Sequence, residues 1–194
     1  MKIYKEGQEI FMSKRVMWIT RTATFIALLI VMQVFTSSFG NTIITGSIVN
    51  FILIMSVMTC GFMTGLTVAV VSPIFAKFVG IGPLWVLIPF IIAGNIILVL
   101  MWNFIGNRNF GKKYISNIFA VVVAAAAKFL VLYISIVQVV IPLFLKLPEP
   151  KASVISNVFS FPQLLTALIG GMLAVNILPV IQKVLGNNGT KAHS

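Results

Sequence analysis

The sequence predicts an all-α membrane protein with six transmembrane helices and with both termini in the cytoplasm. Of its 194 residues, 59% are hydrophobic and only 9% are charged, and the mean hydropathy is +1.09, which is far above the range of soluble domains. Apolar runs of roughly 18 residues or more, long enough to cross a bilayer, recur along the chain. We therefore expect a single integral-membrane domain over residues 1–194, with a polar cytoplasmic N-terminus (1–15) and a polar C-terminal tail (186–194).

Each expected span is an apolar run that is bounded by polar residues, glycine or proline. The six runs cover residues 16–35, 47–59, 61–79, 84–105, 114–145 and 158–185. The second run is too short to cross a bilayer unless it tilts or lies inside the bundle. We therefore expect six spans, with the second as the shortest.

The segments between these runs differ in charge and in proline content. Residues 37–46, SSFGNTIITG, form an uncharged polar loop, which is the first candidate for contact with a ligand, and residues 80–83, GIGP, form a turn. Residues 107–113, NRNFGKK, form a basic loop. Residues 146–157, KLPEPKASVISN, are too polar and too rich in proline to continue a helix.

The basic residues predict the orientation, because lysine and arginine near short loops are retained on the cytoplasmic side. One side of the predicted bundle receives Lys2, Lys5, Lys14, Arg15, Arg21, Arg108, Lys112, Lys113, Lys183 and Lys191. The other side receives the uncharged first loop, the GIGP turn and a loop in which Glu149 partly offsets Lys146 and Lys151. Both termini are therefore expected in the cytoplasm.

Composition also argues against several classes of function. The net charge of +11 does not indicate a nucleic-acid partner, because the basic residues lie mostly between apolar runs and not on one folded face. Cys60 is the only cysteine and His193 the only histidine, so metal-ligand spacing is absent. We expect no metal, no cofactor and no enzymatic activity, because a nucleophile with a base is missing as well.

An energy source is missing from the chain too. Glu6, Glu9 and Glu149 are its only acidic residues, and all lie outside the apolar runs, whereas proton-coupled carriers generally use acidic residues or histidine within the membrane. No GxxxxGK[ST] nucleotide-binding loop occurs. If the protein moves a solute uphill, another protein supplies the energy.

Lys128 is a single charge inside the long apolar run 114–145. If the span begins near Ser116, a rise of about 1.5 Å per residue places Lys128 about 18 Å deep, near the middle of the hydrocarbon layer. A charge at that depth is costly and marks a functional site by default. Because no acidic residue lies in any span, we interpret a ligand as its counter-charge. The alternative is a lysine that stays neutral or that hydrogen-bonds to backbone carbonyls. Ser72 and Gln138 are further polar residues at depth, which ordinary packing would explain.

Three runs carry small residues at a spacing of about four, which brings them to one helix face and lets another backbone approach. These residues are Ala23 and Ala27 in the first run; Gly61, Gly65 and Ala69 in the third; and Ala167, Gly171 and Ala174 in the sixth. Ordinary packing inside the bundle would explain each stripe. The stripe in the first run has a second interpretation, in which it faces another subunit.

The chain resembles the substrate-binding S components of energy-coupling factor transporters. The resemblance rests on TRTATFIALLIVM in the first run, on NTIITGSIVN, and on GFMTGLTVAVVSPIFAKFVGIGPLWVLIPFIIAGN. It implies a multi-pass protein of the bacterial cell membrane with six helices, which binds a vitamin or similar micronutrient from outside. It also implies a transmembrane T component and two cytoplasmic ATPases as partners, with lipid around the helices. The docking motif of the family then falls on Ala23 and Ala27.

The resemblance further implies a ligand site near the outer side of the bundle. By position, the binding residues are Asn41, Thr42, Thr45, Asn50, Trp85, Asn95, Lys128 and Gln163. A lysine beside amide side chains suits a small ligand with a carboxylate or a phosphate, such as a pantothenate-like acid.

Two other classes of function stay open. A structural or regulatory membrane protein would use its small-residue stripes for assembly and would bind no solute. A facilitator or channel would conduct alone and would need a continuous polar path, which the sequence does not reveal.

Overall fold

The computed structural model describes the backbone of residues 2–106 and 113–189, and the side chains of most of these residues from Ser13 onward. Within these ranges the fold is helical and contains no strand. The helices are α1 (Lys2–Ser37), α2 (Thr42–Cys60), α3 (Phe62–Phe78), α4 (Ile88–Gly106), α5 (Lys113–Leu132), α6 (Glu149–Val158) and α7 (Phe161–Gly189). A 3₁₀ turn, Trp85–Leu87, precedes α4, and a π-helical segment, Tyr133–Leu145, continues α5.

Five helical stretches of the described chain are long and apolar enough to cross a membrane, and α3 is a shorter apolar helix of 17 residues. The five stretches are Ser13–Ser37, Thr42–Cys60, Trp85–Gly106, Tyr114–Leu145 and Glu149–Ile181. An all-helical membrane protein is therefore confirmed. The shortest apolar helix is α3 and not the predicted second span, because α2 begins at Thr42 and reaches 19 residues.

The loop predicted over 37–46 is wrong for its second half, because α2 already begins at Thr42. The side chain of Asn41 caps this helix, accepting hydrogen bonds from the backbone N–H groups of Ile43 (2.9 Å) and Ile44 (3.4 Å). An asparagine at this position satisfies N–H groups that the first turn leaves unpaired. The polar composition of the segment therefore marks a helix start.

Two further boundaries differ from the prediction. The chain does leave the helix at residues 146–148, where Lys146 adopts a left-handed conformation with φ of 41°, but Glu149–Val158 then form α6. The helix begins beside Pro148 and Pro150, which fits the tolerance of proline for a first helical turn. At the C-terminus, α7 continues to Gly189, beyond the predicted end at residue 185.

Two apolar clusters form the interior of the bundle. The larger one includes Leu29 of α1, Leu53 of α2, Leu98 of α4 and Ala124 of α5, all fully buried. The smaller one is built on Leu87, Leu132, Ile136, Val140 and Phe159. Residues 91 and 98 of α4 belong to different clusters, as do residues 125 and 132 of α5, so the side chains between them lie at the junction. That junction holds the polar residues of the candidate site.

Most small-residue stripes serve internal packing. A Cβ added to Gly65 would lie 2.2 Å from the side chain of Val57 on α2, and Ala69 is fully buried. Ala167, Gly171 and Ala174 are buried as well. The third and sixth runs therefore use small residues to bring helices of this chain together, as the packing interpretation states.

Candidate functional site

Lys128 lies on α5 with only 3% of its surface exposed. Its Nζ donates hydrogen bonds to Oδ1 of Asn50, at 2.6 Å, and to Oδ1 of Asn95, at 2.7 Å. The partners are thus carboxamide oxygens, and not the backbone carbonyls of the alternative interpretation. Short bonds of this kind are typical of a charged donor. The amide dipoles solvate the nitrogen, yet they add no negative charge.

Asn50 continues the network from α2 to α7. Its Nδ2 donates to Oγ1 of Thr166, at 3.2 Å, and the hydroxyl of Thr166 donates in turn to the backbone carbonyl of Gln163, at 3.1 Å. Because Asn50, Thr166, Asn95 and Lys128 are all buried, each hydrogen bond satisfies groups that water cannot reach. The four helices α2, α4, α5 and α7 therefore meet at one polar cluster.

A glycine on α7 makes this meeting possible. A Cβ added to Gly170 would lie 2.4 Å from the carbonyl oxygen of Ser47 and 2.7 Å from the backbone nitrogen of Phe51. The two backbones therefore approach more closely than any side chain allows. This crossing places Asn50 within hydrogen-bond reach of Thr166.

A cavity of about 190 Å³ adjoins the cluster. Its polar lining consists of Gln33, Thr42, Thr45, Asn50, Ser72, Asn95, Lys128 and Gln163. Its apolar lining includes Pro73, Ile91, Leu132 and Phe159. The lining combines exposed residues such as Thr42 with buried ones such as Lys128, so the cavity extends from one end of the bundle into its interior. Concave sites of mixed lining are typical of small-molecule binding.

Six of the eight binding residues expected from the sequence line this cavity: Thr42, Thr45, Asn50, Asn95, Lys128 and Gln163. The two others lie outside the lining. Asn41 uses its side chain to cap α2. Trp85 is 52% exposed, and its ring packs edge-on against Phe78 with 5.2 Å between the ring centroids.

Gln33 and Ser72 line the cavity without having been assigned to a site from the sequence. Oε1 of Gln33 and Oγ of Ser72 are buried and lack a hydrogen-bond partner within the described part of the chain. A buried polar atom without a hydrogen-bond partner is costly. The available signal in the sequence was weak: a glutamine within the apolar first run, and a serine directly before a proline.

Ala23 and Ala27 lie on a different surface. Both are exposed on α1, whereas Thr22 and Leu29 of the same helix are buried against the bundle. Thr22 donates a hydrogen bond to Thr64 of α3, at 3.3 Å, which fixes the inward face of α1. The alanine stripe therefore lies on the exposed side of α1, whereas most residues of the stripes of α3 and α7 are buried.

Among the described residues, no group of three or more histidine, cysteine, aspartate or glutamate side chains is placed to hold a metal ion. Comparison with protein families gives one match, in which the model for the substrate-specific component of ECF transporters covers residues 18–182. Comparison with curated proteins and with solved structures gives no match.

Proposed function

The chain belongs to the family of substrate-specific components of energy-coupling factor (ECF) transporters, and on this premise we propose that it captures a vitamin or related micronutrient outside the cell. It is a multi-pass membrane subunit of a transporter and, as a member of this family, no enzyme. It passes its cargo inward through a T component that two cytoplasmic ATPases drive. The membrane is the bacterial cell membrane.

One observation carries the proposed solute-binding role. Lys128 is buried at the wall of a cavity, and its two partners are neutral amides. The sequence contains no acidic residue between Glu9 and Glu149, so the spans supply no counter-ion. Because an uncompensated charge within a membrane is costly, the arrangement supports an incoming anion as the missing partner.

The membrane topology follows from counting α3 with the five longer stretches, which gives six spans with both termini on the same side. Lys14, Arg15 and Arg21 are exposed near the first span, which supports a cytoplasmic N-terminus. The cavity is built from the end of α1, the start of α2, the end of α3 and the start of α4. All of these lie at the end of the bundle opposite the N-terminus, so the cavity opens outward.

The exposed alanine stripe supports the proposed docking of a partner. Ala23 and Ala27 leave α1 with a narrow outward face, and a helix of another subunit can approach such a face closely. The T component is the partner that we propose for it.

The experiment that tests the solute-binding role is a thermal-shift and titration screen of the purified subunit against vitamins and related micronutrients. We expect one compound to bind at micromolar concentration or tighter, since a subunit that scavenges scarce nutrients needs such affinity. A screen in which no compound raises the unfolding temperature would favour the alternative, a structural or regulatory membrane protein without a solute of its own.

A further inference from the structure

We infer that the cargo is a small monocarboxylate of about the size of one ring, with a hydrogen-bond donor at the end opposite its carboxylate. This inference rests on the proposed solute-binding function and specifies the chemical class of the solute. Three independent properties of the cavity carry it: its charge, its volume and the position of its unpaired polar atoms.

The charge of the cavity favours a monoanion over a phosphate dianion. Of the described residues that line it, Lys128 alone is charged. Lys77 lies nearby but outside the lining, and its Nζ donates to the backbone carbonyl of Gly82, at 3.3 Å. An ammonium has three N–H donors, of which Asn50 and Asn95 take two. One donor and one unit of charge therefore remain, which matches a carboxylate and leaves a dianion half compensated.

The volume of the cavity limits the size of the cargo. A cavity of about 150 Å³ holds a benzene molecule, and sites for drug-sized ligands span about 300–1,000 Å³. At about 190 Å³ this cavity lies near the first value and below the second range. It therefore suits one ring with small substituents, or a short chain of similar volume.

The second polar group of the cargo follows from the part of the cavity that α1 and α3 form. Gln33 belongs to α1 and Ser72 to α3, whereas Lys128 belongs to α5, and neither α1 nor α3 packs extensively against α5. Oε1 of Gln33 and Oγ of Ser72 are the buried lining atoms without a partner in the described chain. A carbonyl oxygen accepts only, so a donor on the cargo completes Gln33, while the hydroxyl of Ser72 adapts to either role.

Between these two polar ends the walls are apolar. Pro73 and Ile91 lie in the lining together with Leu132 and Phe159, and such side chains favour a hydrocarbon body in the middle of the cargo. The cavity therefore matches a molecule that is anionic at one end, apolar in the middle and a hydrogen-bond donor at the other end.

The test uses the purified full chain and matched probes, measured by titration calorimetry and thermal shift. The probes are 4-aminobenzoate and 3-hydroxybenzoate, their neutral carboxamides, and benzoate, which lacks the donor; pantothenate represents larger carboxylates. We expect at least one of the two substituted acids to bind about tenfold or more tightly than its carboxamide, because only the acid pairs with the ammonium. We expect the affinity of this substituted acid to exceed the affinity of benzoate by about threefold to tenfold, which is the contribution of one neutral hydrogen bond.

A variant separates the donor effect from general affinity. Gln33→Leu is expected to abolish the advantage of the substituted acid over benzoate, because the acceptor for the donor group is removed. Thermal unfolding of the purified variant shows that it is folded. Gln138→Leu is the matched control, because Gln138 is exposed and bonds to the hydroxyl of Tyr133, at 3.0 Å, away from the cavity.

The outcomes distinguish this inference from the proposed function. If a larger or neutral vitamin binds more tightly than every small carboxylate, the inference on cargo class is wrong and the solute-binding role stands. Equal binding of acids and carboxamides would likewise overturn it. If neither these probes nor any vitamin binds, the solute-binding role itself is wrong. Small molecules released from the freshly purified protein give a second readout, in which mass spectrometry is expected to find a monocarboxylate.

Discussion

The ammonium of Lys128 lies in a position where the protein provides hydrogen bonds but no charge. The oxygens of Asn50 and Asn95 lie 2.6 and 2.7 Å from it, which replaces part of the hydration shell that burial removes. Amide dipoles stabilise a cation less than a carboxylate does, so the site retains electrostatic attraction for an anion. A carboxylate in place of either amide would pair permanently with the ammonium. An anionic cargo would then gain little binding energy from Lys128.

Replacement of Lys128 by methionine removes the charge while keeping a side chain of similar length. We predict that the affinity for an anionic cargo falls by about tenfold or more, since a hydrogen-bonded charge pair contributes about 1.5–3 kcal/mol. Lys151→Met, at an exposed position of α6, is the control. Titration of both purified variants measures the effect. Unchanged affinity in the variant at position 128 would remove Lys128 from the binding site.

Asn95→Asp tests the same role of Lys128 by adding a negative charge beside the ammonium, where Lys128→Met removes the positive charge. It places a carboxylate at the oxygen that now lies 2.7 Å from Nζ, so the site gains an internal counter-ion. We predict that anion binding weakens by about tenfold or more while the unfolding temperature is maintained or rises, because a buried pair is compensated. Asn176→Asp, at an exposed residue of α7, serves as the control. Retained affinity for the anion would contradict the role of Lys128 as its partner.

At the level of the helices, the crossing of α2 and α7 determines the geometry of the site. Gly46 of α2 faces Thr166 of α7, since an added Cβ would lie 2.9 Å from its side chain, and Gly170 of α7 faces the backbone of α2. Two glycines on facing helices let the axes approach until Asn50 and Thr166 form their hydrogen bond. The small residues of α7 therefore position the polar cluster, although Gly170 lies outside the lining of the cavity.

Gly170→Ala tests this crossing. The new Cβ meets backbone atoms at 2.4 and 2.7 Å, and a backbone cannot move aside as a side chain does, so we predict a destabilisation of about 1–3 kcal/mol. Gly94→Ala is the matched control, because its Cβ would meet side-chain atoms of Leu132, with Cγ and Cδ2 at 2.8 Å, and not backbone atoms. Thermal unfolding in detergent compares the two. An equal loss of stability in both variants would contradict a special role for the crossing.

The outward face of α1 carries the exposed residues Ala23 and Ala27, which we propose as the docking surface for the T component. We predict that Ala23→Leu combined with Ala27→Leu leaves cargo binding within about twofold but abolishes co-purification of the T component, because bulk on this face holds backbones apart. Both positions are exposed, so the bundle itself tolerates the change. Val122→Leu, at an exposed position of α5, is the control for added bulk. A loss of cargo affinity would instead indicate that the stripe packs internally.

For the whole molecule, the absence of intramembrane acidic residues is as informative as the presence of Lys128. No aspartate or glutamate lies between Glu9 and Glu149 or after Glu149, which is exposed at the start of its stretch, and the only histidine is His193. The cavity lies at one end of the bundle. The subunit thus has a cavity that we propose for a solute, but the sequence offers no acidic residue or histidine beside it for coupling solute movement to protons. Dependence on an external ATPase is the consequence that we propose.

Reconstitution tests this dependence. We predict that liposomes that contain only this subunit accumulate no labelled cargo, because the chain has neither a nucleotide site nor a proton relay. Liposomes that also contain the T component and the two ATPases are expected to take up cargo when ATP is enclosed. The matched control is the complete complex with ADP. Uptake by the isolated subunit would favour the alternative function, a facilitator that conducts the solute without partners.

Particular elements show how far the sequence predicts this fold. The long apolar runs correctly identified α4 and the helical stretch that carries Lys128, Tyr114–Leu145. The start of α2 was wrong, because a capping asparagine followed by threonines has the composition of a loop. The helix α6 was missed for a similar reason, since two prolines and a glutamate at a helix start look like a break. Composition identifies polar segments, but capping geometry decides whether they are helical.

The residues of the candidate site were likewise predicted only in part from the sequence. Lys128, Asn50 and Asn95 were visible as polar residues within apolar runs, whereas Gln33 was not assigned and Trp85 lies outside the lining. Asn50 and Lys128 are separated by 78 residues, and Asn95 and Lys128 by 33. Their hydrogen bonds depend on how three helices rotate and cross, which no local pattern specifies.

By itself, the sequence determined that the protein is a helical membrane bundle with a deep cation and no internal acid. A bilayer leaves the backbone no alternative to the helix, so the length and polarity of each run are sufficient for that inference. The tertiary structure alone decided which amides surround Lys128, which small residues lie inside the bundle, and which polar atoms stay unpaired at the cavity. Those features arise from close packing between helices that are distant in the chain, where a single Cβ at Gly170 changes which atoms can meet.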